Sequence, residues 1–252
     1  KVQAMADLSL DYFSKIPPEI VEEYKGYARM VRPQKTDSPE TDFPETAWII
    51  FAALELTETS GAQVVDPGNM DKLVNQQDGG MGPLQVMKAQ CLAINSYMDD
   101  IQEAIDAGTM KSIVDKNKMA ILGRFGFTSK KHIDIERINP YSSSYDRAYA
   151  CLVGAAIIAL NDYAFSERYF ILDNNGTQYP EDDNKYIFKR ISDPPEKDPG
   201  YDQLLATVAS YNLGFDDIRD LLVEIGPWYA IERIEWYKQF LVGLETKITQ
   251  SH

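Results

Sequence analysis

Two glutamates set the chemical question. The run Trp48-Ile49-Ile50-Phe51-Ala52-Ala53-Leu54 is apolar throughout and leads directly into Glu55-Leu56-Thr57-Glu58-Thr59-Ser60-Gly61. On a helix, Glu58 falls one and two turns after Leu54 and Phe51, so its carboxyl shares their face. Desolvation by such neighbours disfavours the charged form, and the C-terminal end of a helix dipole acts in the same direction. Both effects prepare a carboxyl to donate a proton, which is general-acid chemistry. Glu55, one turn earlier, is the rival for the inward position. Nucleophilic triads have little material here. The chain holds two histidines, His132 and His252, and two cysteines, Cys91 and Cys151. His132 follows Ser129-Lys130-Lys131 in a polar turn, and the cysteines lack metal-ligand spacing. Both cysteines lie in apolar helical patterns and read as buried free thiols, with a single disulfide between them as the alternative.

The elements that must carry these residues are mostly helical. Asp42-Phe43-Pro44-Glu45 has the form of a capping box with proline in the first turn, and Gly61 is a natural stop. A helix apolar on all sides between such signals is a buried one. From Leu84 to Ile105, the residues Leu84, Met87, Cys91, Ile94, Met98, Ile101 and Ile105 recur at alternating spacings of three and four. That stripe predicts a long amphipathic helix ended by Gly108. Further helices are expected near Pro18–Met30, Asp146–Tyr163, Asp202–Asn212 and Pro227–Thr249. Strand signal is confined to Phe170-Ile171-Leu172 and Tyr186-Ile187-Phe188, either side of an Asn175-Gly176 turn. Pro33–Pro44 and Asp193–Gly200 read as loops. The fold class expected is therefore mainly α, with at most a small β-hairpin. Residues 1–43 are expected to form an N-terminal helical extension and linker, and residues 44–252 the main domain.

Composition narrows the function classes. Of 252 residues, 44% are hydrophobic and 25% charged, the profile of a folded globular chain. A net charge of −14 supplies no basic face, which excludes phosphate-led nucleic-acid binding. No uninterrupted apolar run reaches the roughly 18 residues of a membrane span. Lys1-Val2-Gln3-Ala4-Met5 has no apolar leader core, and the chain does not start with Met, so export after loss of a leader fits the sequence.

Three further segments join the glutamate helix in a fixed order: Gly79-Gly80-Met81-Gly82-Pro83-Leu84-Gln85-Val86, then Asn139-Pro140 with the apolar helix containing Ala155–Leu160, then Ala206-Thr207-Val208-Ala209-Ser210-Tyr211-Asn212-Leu213-Gly214. Together they resemble the signature of soluble lytic transglycosylases and goose-type lysozymes in the lysozyme-like superfamily. That signature has an apolar helix ending in Glu-Ser, a Gly-Leu-Met-Gln segment, and a helix bearing Ala-Tyr-Asn-Ala-Gly. The likeness covers about Pro44–Asp217. Thr59 stands where Ser is usual, with Ser60 one place later, and Pro83-Leu84 replace Leu-Met. Two long insertions, about Asp99–Ile138 and Ser166–Gly200, separate the motifs.

The resemblance implies a lysozyme-like helical domain that cleaves the glycan strands of peptidoglycan without metal or cofactor. Glu58 takes the place of the catalytic acid, with Glu55 as the alternative. Ser60, Gln85, Tyr211 and Asn212 correspond to substrate-binding positions. A transglycosylase uses one carboxyl, first as acid and then as base. A goose-type hydrolase uses a second carboxylate to orient water; Asp78 and Asp66 are the candidates, although aspartate before Gly or Pro is also ordinary turn chemistry. The resemblance further implies a place in the periplasm, the cell wall or a phage particle. A non-enzymatic binding or structural part of a phage or secretion machine would use the same fold.

Overall fold

A proline pair begins the first helix. Pro17 is extended (φ −60°, ψ 142°) and Pro18 opens helix α1, Pro18–Val31, whose buried residues Tyr24, Tyr27, Ala28 and Val31 form one face. In the computed structural model, the residues described are 12–33, 48–61, 69–76, 79–109, 113–167, 169–172, 187–190, 207–208 and 210–211. Helix α2, Trp48–Thr59, buries Ile49, Ile50, Phe51, Ala52, Ala53 and Leu54 together with Glu55. Aromatic contacts join the two helices. Tyr24 stacks on Phe51 at 5.9 Å between ring centroids, and Tyr27 meets the same ring edge-on at 6.0 Å. A helical turn over residues 12–15 adds Phe13 against Trp48 at 6.2 Å. The expected boundary after residue 43 therefore separates helices that share a core. By its contacts the chain divides between Leu160 and Asn161 into two compact units.

After a 3-10 turn, Met70–Leu73, comes an antiparallel pair that the sequence pattern did not predict: β1, Gly80–Met81, and β2, Val86–Met87. Val74 bridges Met81 on the other side. The connecting turn uses two left-handed residues, Gly82 (φ 74°) and Gln85 (φ 51°). A Cβ on Gly82 would lie 2.9 Å from the Ala150 Cβ, so only glycine lets this turn approach so closely. Helix α3, Lys88–Asp106, consequently starts later than the apolar stripe suggested, with Leu84 buried in the turn before it. On α3 itself the fully buried residues are Cys91 and Met98, whereas Ile105 is 43% exposed. Asn95 explains the inward face. Its amide accepts from the Ile133 N–H at 2.8 Å and donates to the Ile133 carbonyl at 3.0 Å.

Helices α4, Ile113–Arg124, and α5, Ile135–Ile138, occupy the first of the two expected insertions. They and their connection bury Ile121, Leu122, Phe125, Phe127, Ile133 and Ile138, so this segment contributes core. Asp134 caps α5 by accepting from the Glu136 N–H. Helix α6, Arg147–Glu167, is the long apolar one; Ala150, Cys151, Val153, Ala155, Ala156, Ile157, Ile158 and Ala159 are all buried. Its stretch Arg147–Phe165 passes a length-and-hydropathy test for a membrane span, with mean hydropathy 1.5, but 67% of it is buried within the protein. A core position accounts for that apolarity.

The second unit contains the end of α6 and a hairpin, β3, Tyr169–Leu172, paired with β4, Ile187–Arg190. This pairing is the one expected around Asn175-Gly176, although that turn lies outside the described residues. The residues 207–208 and 210–211 are helical. Asn161 donates to Ser210 Oγ at 3.0 Å and Thr207 donates to the buried Asp162 at 3.2 Å, which ties them to α6. The Asp42–Glu45 capping box and the expected helix Pro227–Thr249 lie outside the described residues. With 69% of the described residues helical and few strands, the protein is mainly α; two small antiparallel sheets replace the single hairpin expected.

Candidate active site

The C-terminal turn of α2 separates the two glutamates. Glu55 is 0% exposed, whereas Glu58, one turn later, is half-buried and reaches the surface. The carboxyl directed into the core is thus Glu55, not Glu58. The expectation that Glu58 follows Leu54 and Phe51 into the interior fails because in the last turn of α2 it is Thr59 that stays buried, while Glu58 is half-buried and Thr57 and Ser60 are exposed.

Glu55 is held by donors from three parts of the chain, all on Oε2. The Tyr12 hydroxyl donates at 3.2 Å, the Tyr24 hydroxyl donates through a short bond, and Arg147 Nη2 approaches to 3.4 Å. Arg147 Nη2 also donates to the Tyr24 oxygen at 2.8 Å, and its Nη1 pairs with Glu23 at 3.0 Å. Tyr27 donates to the Ala148 carbonyl at 2.7 Å beside this group. A buried carboxylate needs such a partner, because an unpaired charge in the interior is strongly unfavourable. Among the described residues, Glu55 Oε1 and Arg147 Nε lack a hydrogen-bond partner. Burial and the nearby Glu55 charge push the Tyr12 hydroxyl far above the ordinary tyrosine range, so it remains a donor.

The same glutamate organises the helix end through its backbone. Its carbonyl accepts from Thr59 Oγ1 at 2.8 Å and from the Gly61 N–H at 3.3 Å. Ser60 (φ 56°) and Gly61 (φ 66°) then turn the chain back in left-handed conformations. Gly61 lies directly on the Tyr12 ring; a Cβ there would sit 2.3 Å from Cε2. Tyr12 therefore touches both the side chain that anchors this turn and the backbone that closes it.

Of the other expected site residues, Ser60 is exposed beside Glu58. Gln85 is half-buried in the β1–β2 turn, where its Nε2 donates to the Gly82 carbonyl at 2.9 Å. It is a residue of the tight turn that precedes α3. Tyr211 is half-buried in the second unit. Asn212, Asp78 and Asp66 lie outside the described residues. Sequence reasoning missed Tyr12, Tyr24, Glu23 and Arg147. One signal for them existed: a lone carboxylate within an all-apolar helix requires a buried cation, and Arg147 opens the other all-apolar helix. Comparison of the chain with known protein families, characterised proteins and solved structures finds no match.

Proposed function

We propose that this protein is a peptidoglycan-cleaving lytic transglycosylase with Glu58 as its single catalytic carboxyl. The observation that carries the reading is the end of α2, an otherwise buried helix that brings one glutamate to the surface and closes the other off. A proton donor must come within hydrogen-bond reach of the glycosidic oxygen. Glu55, fully buried and engaged by two tyrosines and an arginine, is excluded from that contact. Glu58, with Ser60 beside it, can make it.

In this reading Glu58 donates its proton to the leaving oxygen between N-acetylmuramic acid and N-acetylglucosamine as the sugar becomes oxocarbenium-like. The resulting carboxylate takes the proton of the muramyl 6-hydroxyl, whose oxygen closes on C1. One bond breaks, one forms, Glu58 is reprotonated, and the product ends in a 1,6-anhydro ring. Gln85, in the unit that holds Glu58, would line the glycan site, as the resemblance implies. A protein acting on this substrate works outside the cytoplasm or from a phage particle. Mass analysis of fragments released from purified peptidoglycan tests the reaction type. Anhydro ends, lighter by one water than reducing ends, are expected; reducing ends alone would mean hydrolysis and overturn the transglycosylase reading.

A further inference from the structure

The Glu55 cluster lies one turn from Glu58, and its carboxyl and both tyrosines, Tyr12 and Tyr24, are buried. Its members come from the turn at residues 12–15 (Tyr12), from α1 (Tyr24 and Glu23), from α2 (Glu55) and from the first residue of α6 (Arg147). All three hydrogen bonds to the carboxylate converge on one oxygen. The Glu55 carbonyl meanwhile holds Thr59 and Gly61, the residues that follow Glu58. Tyr12 closes the arrangement by bonding to Oε2 with its hydroxyl and covering Gly61 with its ring.

We infer that Tyr12, Tyr24, Glu55 and Arg147 form a buried brace that fixes the helix end bearing Glu58, which makes Tyr12 and Glu55 positioning residues for the proposed reaction. The inference rests on the glycosidase reading for its catalytic consequence, but not for the existence of the brace. Three features separate a brace from ordinary core packing. Apolar residues of the same size would fill the space, yet the chain keeps a buried ion pair, which is seldom the more stable choice. Hydrogen bonds fix direction, which close packing alone leaves freer to shift. Among the described residues, the cluster also reaches the turn after Glu58, through the Tyr12 ring on Gly61. Residues 12–31 are then part of the working domain rather than an appendage. General-acid catalysis is sensitive to such placement, because a misplacement of about 1 Å can lower the rate about a hundredfold.

The test uses the full chain and three variants: Tyr12→Phe, Glu55→Leu and Glu55→Gln. Tyr12→Phe keeps the ring on Gly61 but removes one directing bond. Glu55→Leu removes the acceptor, and Glu55→Gln keeps it. Two readouts are needed: amide hydrogen exchange by segment, and kcat and KM on soluble peptidoglycan fragments. In Tyr12→Phe, exchange at residues 57–61 should accelerate about tenfold while residues 150–159 of α6 stay unchanged. kcat should fall about tenfold with KM within about twofold. Glu55→Leu should lose more, and Glu55→Gln should recover most of that loss. Unchanged exchange at residues 57–61, or acceleration spread evenly over α2 and α6, would overturn the brace. A rise in KM with kcat unchanged would overturn the positioning role. An inactive wild type would overturn the glycosidase reading itself, and the exchange pattern would still decide whether the brace exists.

Discussion

Glu55 and Glu58 stand one turn apart on α2 and meet opposite surroundings, and side-chain chemistry alone could not assign them. On a helix apolar all round there is no polar face to set the phase. The interior place went to the glutamate that Arg147, 92 residues away in sequence, could reach. A long-range partner decided the matter, so Glu55 and Glu58 stayed open as alternatives in the sequence. Glycines show the same dependence on context. Gly61 has φ 66° and the Tyr12 ring where a Cβ would go, whereas Gly26, inside α1, has nothing within 4 Å of that position. Gly61→Ala should therefore destabilise the protein by about 1–3 kcal/mol. Gly26→Ala should stabilise it by about 0.5–1 kcal/mol through helix propensity. Thermal or denaturant unfolding of the two variants checks both signs.

At the scale of elements, continuous apolar runs were legible and partly covered ones were not. Helices α2 and α6 are buried on nearly every side, so composition identified them without any need to know their neighbours. The stripe from Leu84 to Ile105 was misread at its start because Leu84 is buried in a tight turn, where burial does not require helical period. Periodicity also cannot say which part of a stripe finds a neighbour: Met98 is covered and Ile105 is not. Nor could it foresee that Gly82 would rest against Ala150, a contact between residues 68 positions apart in chain order (150 less 82) that creates the β1–β2 turn's place on α6. The expectation for the cysteines fared better. Cys91 on α3 and Cys151 on α6 are both free and buried. Burial pushes the Cys91 thiol up to about 12, and Cys151 is raised as well. Both are therefore protonated and shielded at pH 8. Neither should react with a disulfide reagent at that pH in the native protein, and both should react once denaturant is added. Rapid native modification of either would contradict the helix packing.

For the whole molecule, the relevant quantities are its division and its charge. The unit that carries α1, α2 and the β1–β2 turn holds Glu58, Ser60 and Gln85, while Tyr211 belongs to the unit that starts at Asn161. A net charge of −14 gives the protein no long-range attraction for an anionic wall polymer. Recognition under the proposed function must then come from short-range contacts to neutral sugar groups, such as the side chain of Gln85 can make. Under the proposed function the two glutamates of α2 divide the labour: Glu58 would perform the proton transfer and Glu55 would hold the helix end in place.

Parallel assays of wild type, Glu58→Gln and Glu55→Gln on purified peptidoglycan, with folding of each checked by circular dichroism, test that claim most directly. Wild type should release soluble muropeptides, Glu58→Gln should lower the rate about a hundredfold or more, and Glu55→Gln should stay within about tenfold of wild type. A folded Glu58→Gln that retains full activity, or a Glu55→Gln that loses all of it while Glu58→Gln does not, would contradict the account.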